Sequence, residues 1–193
     1  RANTSGSLNT AVGVDSLLAN TTGVDNTALG YATLSGNLTG TANVAVGKNT
    51  LVANTSGQYN IGIGRGSLFT NLTGNNNIGI GIESLLVNTG SNNTAIGHTA
   101  LSNNTASNNV AVGYEAGYSN TSSIQNTAIG YQALRASDAS YNTAVGFSSS
   151  KSVTTGVQNT SVGNNASANS TTSNYNTSLG SVLTTTNGTW TSL

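Results

Sequence analysis

One register governs this chain. The pentapeptide Asn-(Thr/Val/Ile)-(Ala/Gly/Ser)-(Val/Ile/Leu)-Gly occurs eleven times in 193 residues. Its Asn and Gly fall at Asn9 and Gly13, Asn26 and Gly30, Asn43 and Gly47, Asn60 and Gly64, Asn77 and Gly81, and Asn93 and Gly97. They continue at Asn109 and Gly113, Asn126 and Gly130, Asn142 and Gly146, Asn159 and Gly163, and Asn176 and Gly180. Successive copies start 16 or 17 residues apart. Such a fixed period is the signature of a repeat architecture. Offsets are numbered here from each Asn as zero. Offset 3 is always Val, Ile or Leu, and offset 8 is Leu in seven copies. Offset 11 is Asn in the first seven copies, from Asn20 to Asn120, and a Gly commonly follows at offset 13 or 14.

A unit of this length is too short for a helix pair or a propeller blade. It suits one coil of a parallel β-solenoid, so the fold expected is an all-β roll of about eleven coils. Two short strands per coil are expected, at offsets 1 to 3 and around offsets 7 to 9. Asn and Gly between them supply turn positions. Coils about 4.8 Å apart make a rod roughly 50 Å long. Stacking sets each offset above itself, so the offset 0 Asn side chains form a column able to hydrogen-bond amide to amide.

Stacking also accounts for the composition. Charged residues are 5% of the chain, and Asn, Thr, Ser and Gly together make 110 of its 193 residues. Like charges stacked 4–5 Å apart repel by about 1 kcal/mol even in water. The same scarcity excludes function classes. Five Lys and Arg in a chain of zero net charge cannot neutralise a run of phosphates, so no nucleic-acid partner is expected. No apolar run reaches the roughly 18 residues of a membrane span, and no membrane insertion is expected. Without Cys there is no disulfide, and no cofactor motif is present.

The strand pattern predicts self-association. Side chains alternate faces along a strand. The expectation is that large offset 3 fills the coil interior, while small offsets 2 and 4 face outward. No charge occurs at offsets 2 to 4 in any copy. A strand apolar on both faces is buried on both, and another copy of the same rod is the simplest cover.

Asn-Thr-Ala-Ile-Gly-Tyr-Gln-Ala-Leu, Asn126 to Leu134, and its relatives resemble the head repeats of trimeric autotransporter adhesins. They are also similar to Asn-Thr-Ala-x-Gly-Tyr-x-Ala-Leu arrays in phage tail-fibre proteins. The resemblance implies a left-handed parallel β-roll, three chains to a fibre, and an extracellular location on a cell surface or virion tail. Its partners would be two further copies of the chain and a host or environmental surface, including surface glycans. Adhesin head repeats are usually somewhat shorter than 16 or 17 residues. Residues 1–147 read as regular coils. Residues 148–193 read as degenerate repeats leading to a cap or transition, because offset 8 becomes Ser150, Ser167 and Thr184; Trp190 is a candidate capping residue. Arg1 falls at offset 9 of a preceding repeat, so a fragment of a longer fibre is expected.

Chemistry-bearing residues concentrate at offsets 5 and 6: Asp15, Tyr31, Lys48, Arg65, Glu83, His98, Tyr114, Glu115, Tyr131 and Phe147. Arg65, Glu83, His98, Tyr114, Glu115 and Tyr131 form the candidate contact surface, where aromatic and hydrogen-bonding groups suit a glycan. Glu83, His98 and Glu115 occupy successive coils. The carboxylates would lie about 9.6 Å apart, at the upper limit for an inverting glycosidase pair, and Glu-His-Glu is also a metal-ligand set. Both uses need a cleft, which a convex turn edge does not offer, so no enzyme and no metal site is expected. The function expected is a structural segment of an attachment fibre, with a fibre-borne glycan depolymerase or an ice-binding solenoid as alternatives. Thr recurs at offset 1 but gives way to Val44, Ile61, Ile78 and Val110. Sharing a face with offset 3, it is expected inward, which counts against ice binding.

Overall fold

The computed structural model describes residues 2–181. Within them the chain winds as an all-β parallel solenoid. Each coil contributes one three-residue strand. These are β1 (Thr10–Val12), β2 (Thr27–Leu29), β3 (Val44–Val46), β4 (Ile61–Ile63), β5 (Ile78–Ile80) and β6 (Thr94–Ile96). They continue as β7 (Val110–Val112), β8 (Thr127–Ile129), β9 (Thr143–Val145), β10 (Thr160–Val162) and β11 (Thr177–Leu179). They form a single eleven-stranded parallel sheet in chain order. Equal offsets pair throughout, as in Thr10 with Thr27, Val46 with Ile63 and Ile96 with Val112. The 16-residue coils keep this register because the missing residue comes out of the corner between offsets 11 and 0. That corner runs Asn20 to Asn26 in a long coil and Asn88 to Asn93 in a short one.

The strand faces are the reverse of the sequence expectation. Offset 2 points inward: Ala28, Ala45, Ala95 and Ala111 are completely buried. Offset 3 points outward, with Ile96 38% and Ile129 39% exposed. The reason is the width of the coil. Offset 8 is a column of buried leucines, Leu34, Leu51, Leu68, Leu85, Leu101 and Leu134. A buried row of Ser, Thr and Ala at offset 7 lies beside it, as at Ser16, Thr33, Thr50 and Ala133. These rows fill the space opposite the strand. A Cβ added to Gly62 at offset 2 would already crowd Thr50 Cγ2 at 2.7 Å and Leu51 Cδ1 at 3.4 Å. Only Gly, Ala or Ser occupies that strand position, with Ser161 and Ser178 buried there.

The second strand expected at offsets 7 to 9 is not one. Offsets 6 and 8 hold positive φ, for example Ala32 at 52° and Leu34 at 50°. That conformation costs a leucine about 1–2 kcal/mol. Its return is hydrogen bonding in both axial directions. Ala32 N donates to Val14 O of the coil before at 2.9 Å, while Leu34 N donates to Thr50 O of the coil after at 3.0 Å. At offset 4 the backbone needs glycine for two reasons. Gly30 has φ 135°, and a Cβ there would fall on the Gly47 carbonyl of the next coil.

Two columns of buried asparagine run along the coils, at offset 0 from Asn26 to Asn159 and at offset 11 from Asn20 to Asn120. At offset 0, Asn60 Nδ2 donates to Asn43 Oδ1 at 3.1 Å and to Gly74 O at 2.8 Å. At offset 11, Asn54 Nδ2 donates to Asn37 Oδ1 at 2.7 Å and to Gly57 O at 3.1 Å. Each corner carbonyl, such as Gly57 O, accepts from one amide of each column. These ladders replace much of the apolar core that the composition lacks. The register continues beyond residue 147 through β10 and β11, with Ser150 and Ser167 in the leucine row. Arg1, Thr184 and Trp190 lie outside the described residues.

Candidate functional site

Gly at offset 4 turns the chain out of the strand, so offset 5 projects from the rod at the next residue. Stacking makes a continuous ridge of this edge. His98, Tyr114, Tyr131 and Phe147 lie ring upon ring, with centroids 5.5, 5.2 and 5.0 Å apart and planes within 12° of parallel. The spacing follows from the coil rise, since one aromatic per coil at one offset has no other neighbour of its kind. The ring faces within the ladder cover one another. Solvent meets mainly ring edges and the two Tyr hydroxyls. Further along the edge, Lys48 Nζ sits 5.6 Å from the Tyr31 ring centroid.

Glu83 and Glu115 on this edge each have a partner. Glu83 Oε1 accepts from Arg65 Nη2 at 2.8 Å, on the surface. Glu115 Oε2 accepts from Gln132 Nε2 at 2.7 Å and from Arg135 Nε, and the Arg135 guanidinium stands over the Tyr118 ring. The Arg135 bond holds the Glu115 carboxyl below its ordinary pKa, with Gln132 adding to the effect against the opposing cost of burial. The Glu115 carboxylate in turn pushes the Tyr114 phenol above its usual value. His98 Nδ1 is 3.3 Å from Thr99 Oγ1.

Glu83, His98 and Glu115 therefore share an edge but do not converge. Glu83 turns to Arg65 in the coil before, Glu115 to Gln132 and Arg135 in the coil after, and His98 to the aromatic stack. Among the described residues no group of three or more His, Asp or Glu is placed to hold a metal ion. Sequence reasoning found Arg65, Glu83, His98, Tyr114, Glu115 and Tyr131 on one edge, and the structure places them there. It missed the contacts of Gln132, Arg135 and Tyr118 with this edge. Arg135 and Tyr118 stand at offset 9, and only the coil geometry shows that offset 9 reaches back to offset 6.

A second polar cluster was not foreseen. The Asp138 carboxylate accepts from Thr121 N at 3.1 Å, Ser122 N at 2.9 Å, Ser123 Oγ at 3.0 Å and Thr121 Oγ1. Burial alone would raise its pKa. These hydrogen bonds outweigh burial and hold it below the usual value. The cluster clamps the corners of two adjacent coils together.

Comparison with protein-family models, curated proteins and solved structures finds no match to this chain.

Proposed function

We propose that this chain is a shaft segment of an extracellular attachment fibre, assembled from three parallel copies packed through the outward face of the sheet. The observation that carries the reading is that face. Val12, Leu29, Ile63, Ile96, Ile129, Val162 and Leu179 expose between 38% and 70% of their surface in one row along the rod. Offset 1 lies beside them with Val, Ile or Thr, and neither row contains a charge. Contiguous apolar surface of this kind marks an interaction site. Covering the exposed part of one such Ile contributes about 0.5–1 kcal/mol, and the gain recurs at every coil. A second copy repeats at the same axial rise, so its side-chain rows match along the full length. Three copies and left-handed winding are what the likeness to adhesin heads and tail-fibre arrays implies. The face-to-face aromatic ladder favours a shaft over a receptor site, since it leaves few ring faces for a sugar. If the segment does touch a surface, Arg65, Glu83, His98, Tyr114, Glu115 and Tyr131 are the contacts, and replacing Tyr114 and Tyr131 by Ser weakens attachment of the whole fibre.

Native mass measurement of the intact chain tests the assembly. A trimer is expected, and Ile96→Glu is expected to dissociate it while the β-rich circular dichroism persists. A wild-type chain that is monomeric at micromolar concentration overturns the proposal.

One observation favours a second reading. Offset 1 proves to face outward, so the inward role that spoke against ice binding does not hold. Thr127, Thr143, Thr160 and Thr177 form an unbroken outward row at the equivalent position of four coils. Val44, Ile61, Ile78 and Val110 interrupt the row elsewhere, which places this reading second. Clear thermal hysteresis from the wild type, lost on Thr143→Tyr, reverses the order.

A further inference from the structure

The leucine column is interrupted and the offset 11 asparagine column ends at the same place. In the leucine row Gly117 stands between Leu101 and Leu134, and in the offset 11 row Ser137 follows Asn120. A cavity lies at this joint, lined by Leu101, Gly117, Asn120, Asn126, Leu134 and Ser137 among others. It leaves about 10 Å³ for the centre of a water molecule, which is room for one.

Two polar atoms on its wall have complementary needs. Asn120 Oδ1 and Asn126 Nδ2 are buried and have no hydrogen-bond partner within the described protein. Their counterparts elsewhere are satisfied: Asn104 Oδ1 accepts from Asn120 Nδ2 at 3.1 Å, and Asn109 Nδ2 donates to Asn104 Oδ1 at 3.1 Å and Ser123 O at 2.8 Å. For Asn120 the difference traces to Ser137. Its short side chain cannot extend an amide to Asn120, and its Oγ accepts only a long 3.4 Å bond from Ala139 N. A buried donor or acceptor without a partner is unfavourable, and each gains from one. One is an acceptor and the other a donor, and they share a cavity of molecular size.

We infer that this joint is a built site for one internal water molecule. The water donates to Asn120 Oδ1 and accepts from Asn126 Nδ2, and the Ser137 hydroxyl has a free proton to give it as a third bond. Two to four polar partners are the normal complement of a buried water. The water thus joins the last amide of the offset 11 ladder to the offset 0 column, in the space that Gly117 leaves in the leucine row. The site lies inside one coil stack and is independent of how copies of the rod pack.

The test is a crystal structure of the intact protein at a resolution that orders solvent. One water is expected within hydrogen-bonding distance of both Asn120 and Asn126. A direct Asn126-to-Asn120 bond, or a cavity free of density, overturns the inference. Ser137→Asn supplies the missing amide and is expected to expel the water and raise Tm by a few degrees. Should that variant fail to fold, Gly117→Leu fills the same space with the residue that its neighbouring coils carry, and the same water is expected to leave. A water retained in either folded variant also overturns the inference.

Discussion

Asn60→Ala tests whether the asparagine columns hold the coils together or merely favour turns. The Asn60 side chain donates to Asn43 Oδ1 at 3.1 Å and to Gly74 O at 2.8 Å, and its Oδ1 accepts from Asn77 N at 3.0 Å and Asn77 Nδ2 at 3.2 Å. Truncation does not orphan all four partners. Asn43 Oδ1 keeps the Asn60 backbone N–H at 2.9 Å, Gly74 O keeps Asn71 Nδ2 at 3.0 Å, and Asn77 Nδ2 keeps Gly90 O at 2.9 Å. Only the buried Asn77 N–H is left without an acceptor. That group costs about 1–3 kcal/mol and the three other lost bonds about 0.5–1.5 kcal/mol each, so the variant should lose about 2.5–7.5 kcal/mol. Asn60→Asp separates acceptor from donor. It keeps the acceptor for Asn77 N but sets a buried carboxylate against Asn43 Oδ1 and Gly74 O. Burial raises its folded pKa above the unfolded value near 4. Its relative stability is therefore full below about pH 4 and is lost as pH rises through the folded pKa. Denaturant unfolding of wild type and both variants at matched concentration, from pH 3 to 7, is the assay. An Asn60→Ala cost below about 1 kcal/mol, or an Asn60→Asp cost that does not shrink on acidification, refutes the reasoning.

Other perturbations follow from the same geometry. Leu68→Ala removes a fully buried side chain from the narrow interior and should cost about 2–5 kcal/mol in denaturant unfolding. Ala128→Glu places a charge on the inner face, where Ala128 is 2% exposed, and should abolish the β-rich circular dichroism. Ile129→Glu on the outer face should instead spare the coil and weaken only assembly by native mass. Glu115 and Asp138 have lowered folded pKa values. Their stabilisation is present above the unfolded values near 4 and is lost as pH falls through the folded ones. Acid titration of Tm should therefore show a decline below about pH 4 that Asp138→Asn flattens.

The register was fully legible, because Asn and Gly return every 16 or 17 residues and only stacked coils profit from that. The direction of the strand was not. Thr-Ala-Ile-Gly alternates large and small, and hydrophobicity alone sends the large residue inward. What decides the matter is the width of the cavity, which depends on how offset 8 folds back. Leu34 and its equivalents adopt a left-handed conformation that leucine on its own avoids, so no local propensity announces it. The offset 11 asparagines were visible as a row, but their task became clear only when Gly57 O and its equivalents were seen to accept from both columns. At the edge, aromatics in successive coils marked Tyr114 and Tyr131. That their faces close on each other depends on ring orientation, which spacing does not specify.

The claim that the outer sheet face joins copies of the chain is tested most directly by a single thiol. The protein has no cysteine, so Ile96→Cys introduces the one reactive group, at the middle of the proposed interface. Mild oxidation of that variant should give covalent dimers in high yield at low protein concentration, whereas Phe147→Cys on the outer edge should stay monomeric on denaturing gels. Equal cross-linking of the two variants, or none for Ile96→Cys while the thiol reacts freely with a small alkylating reagent, would contradict the account.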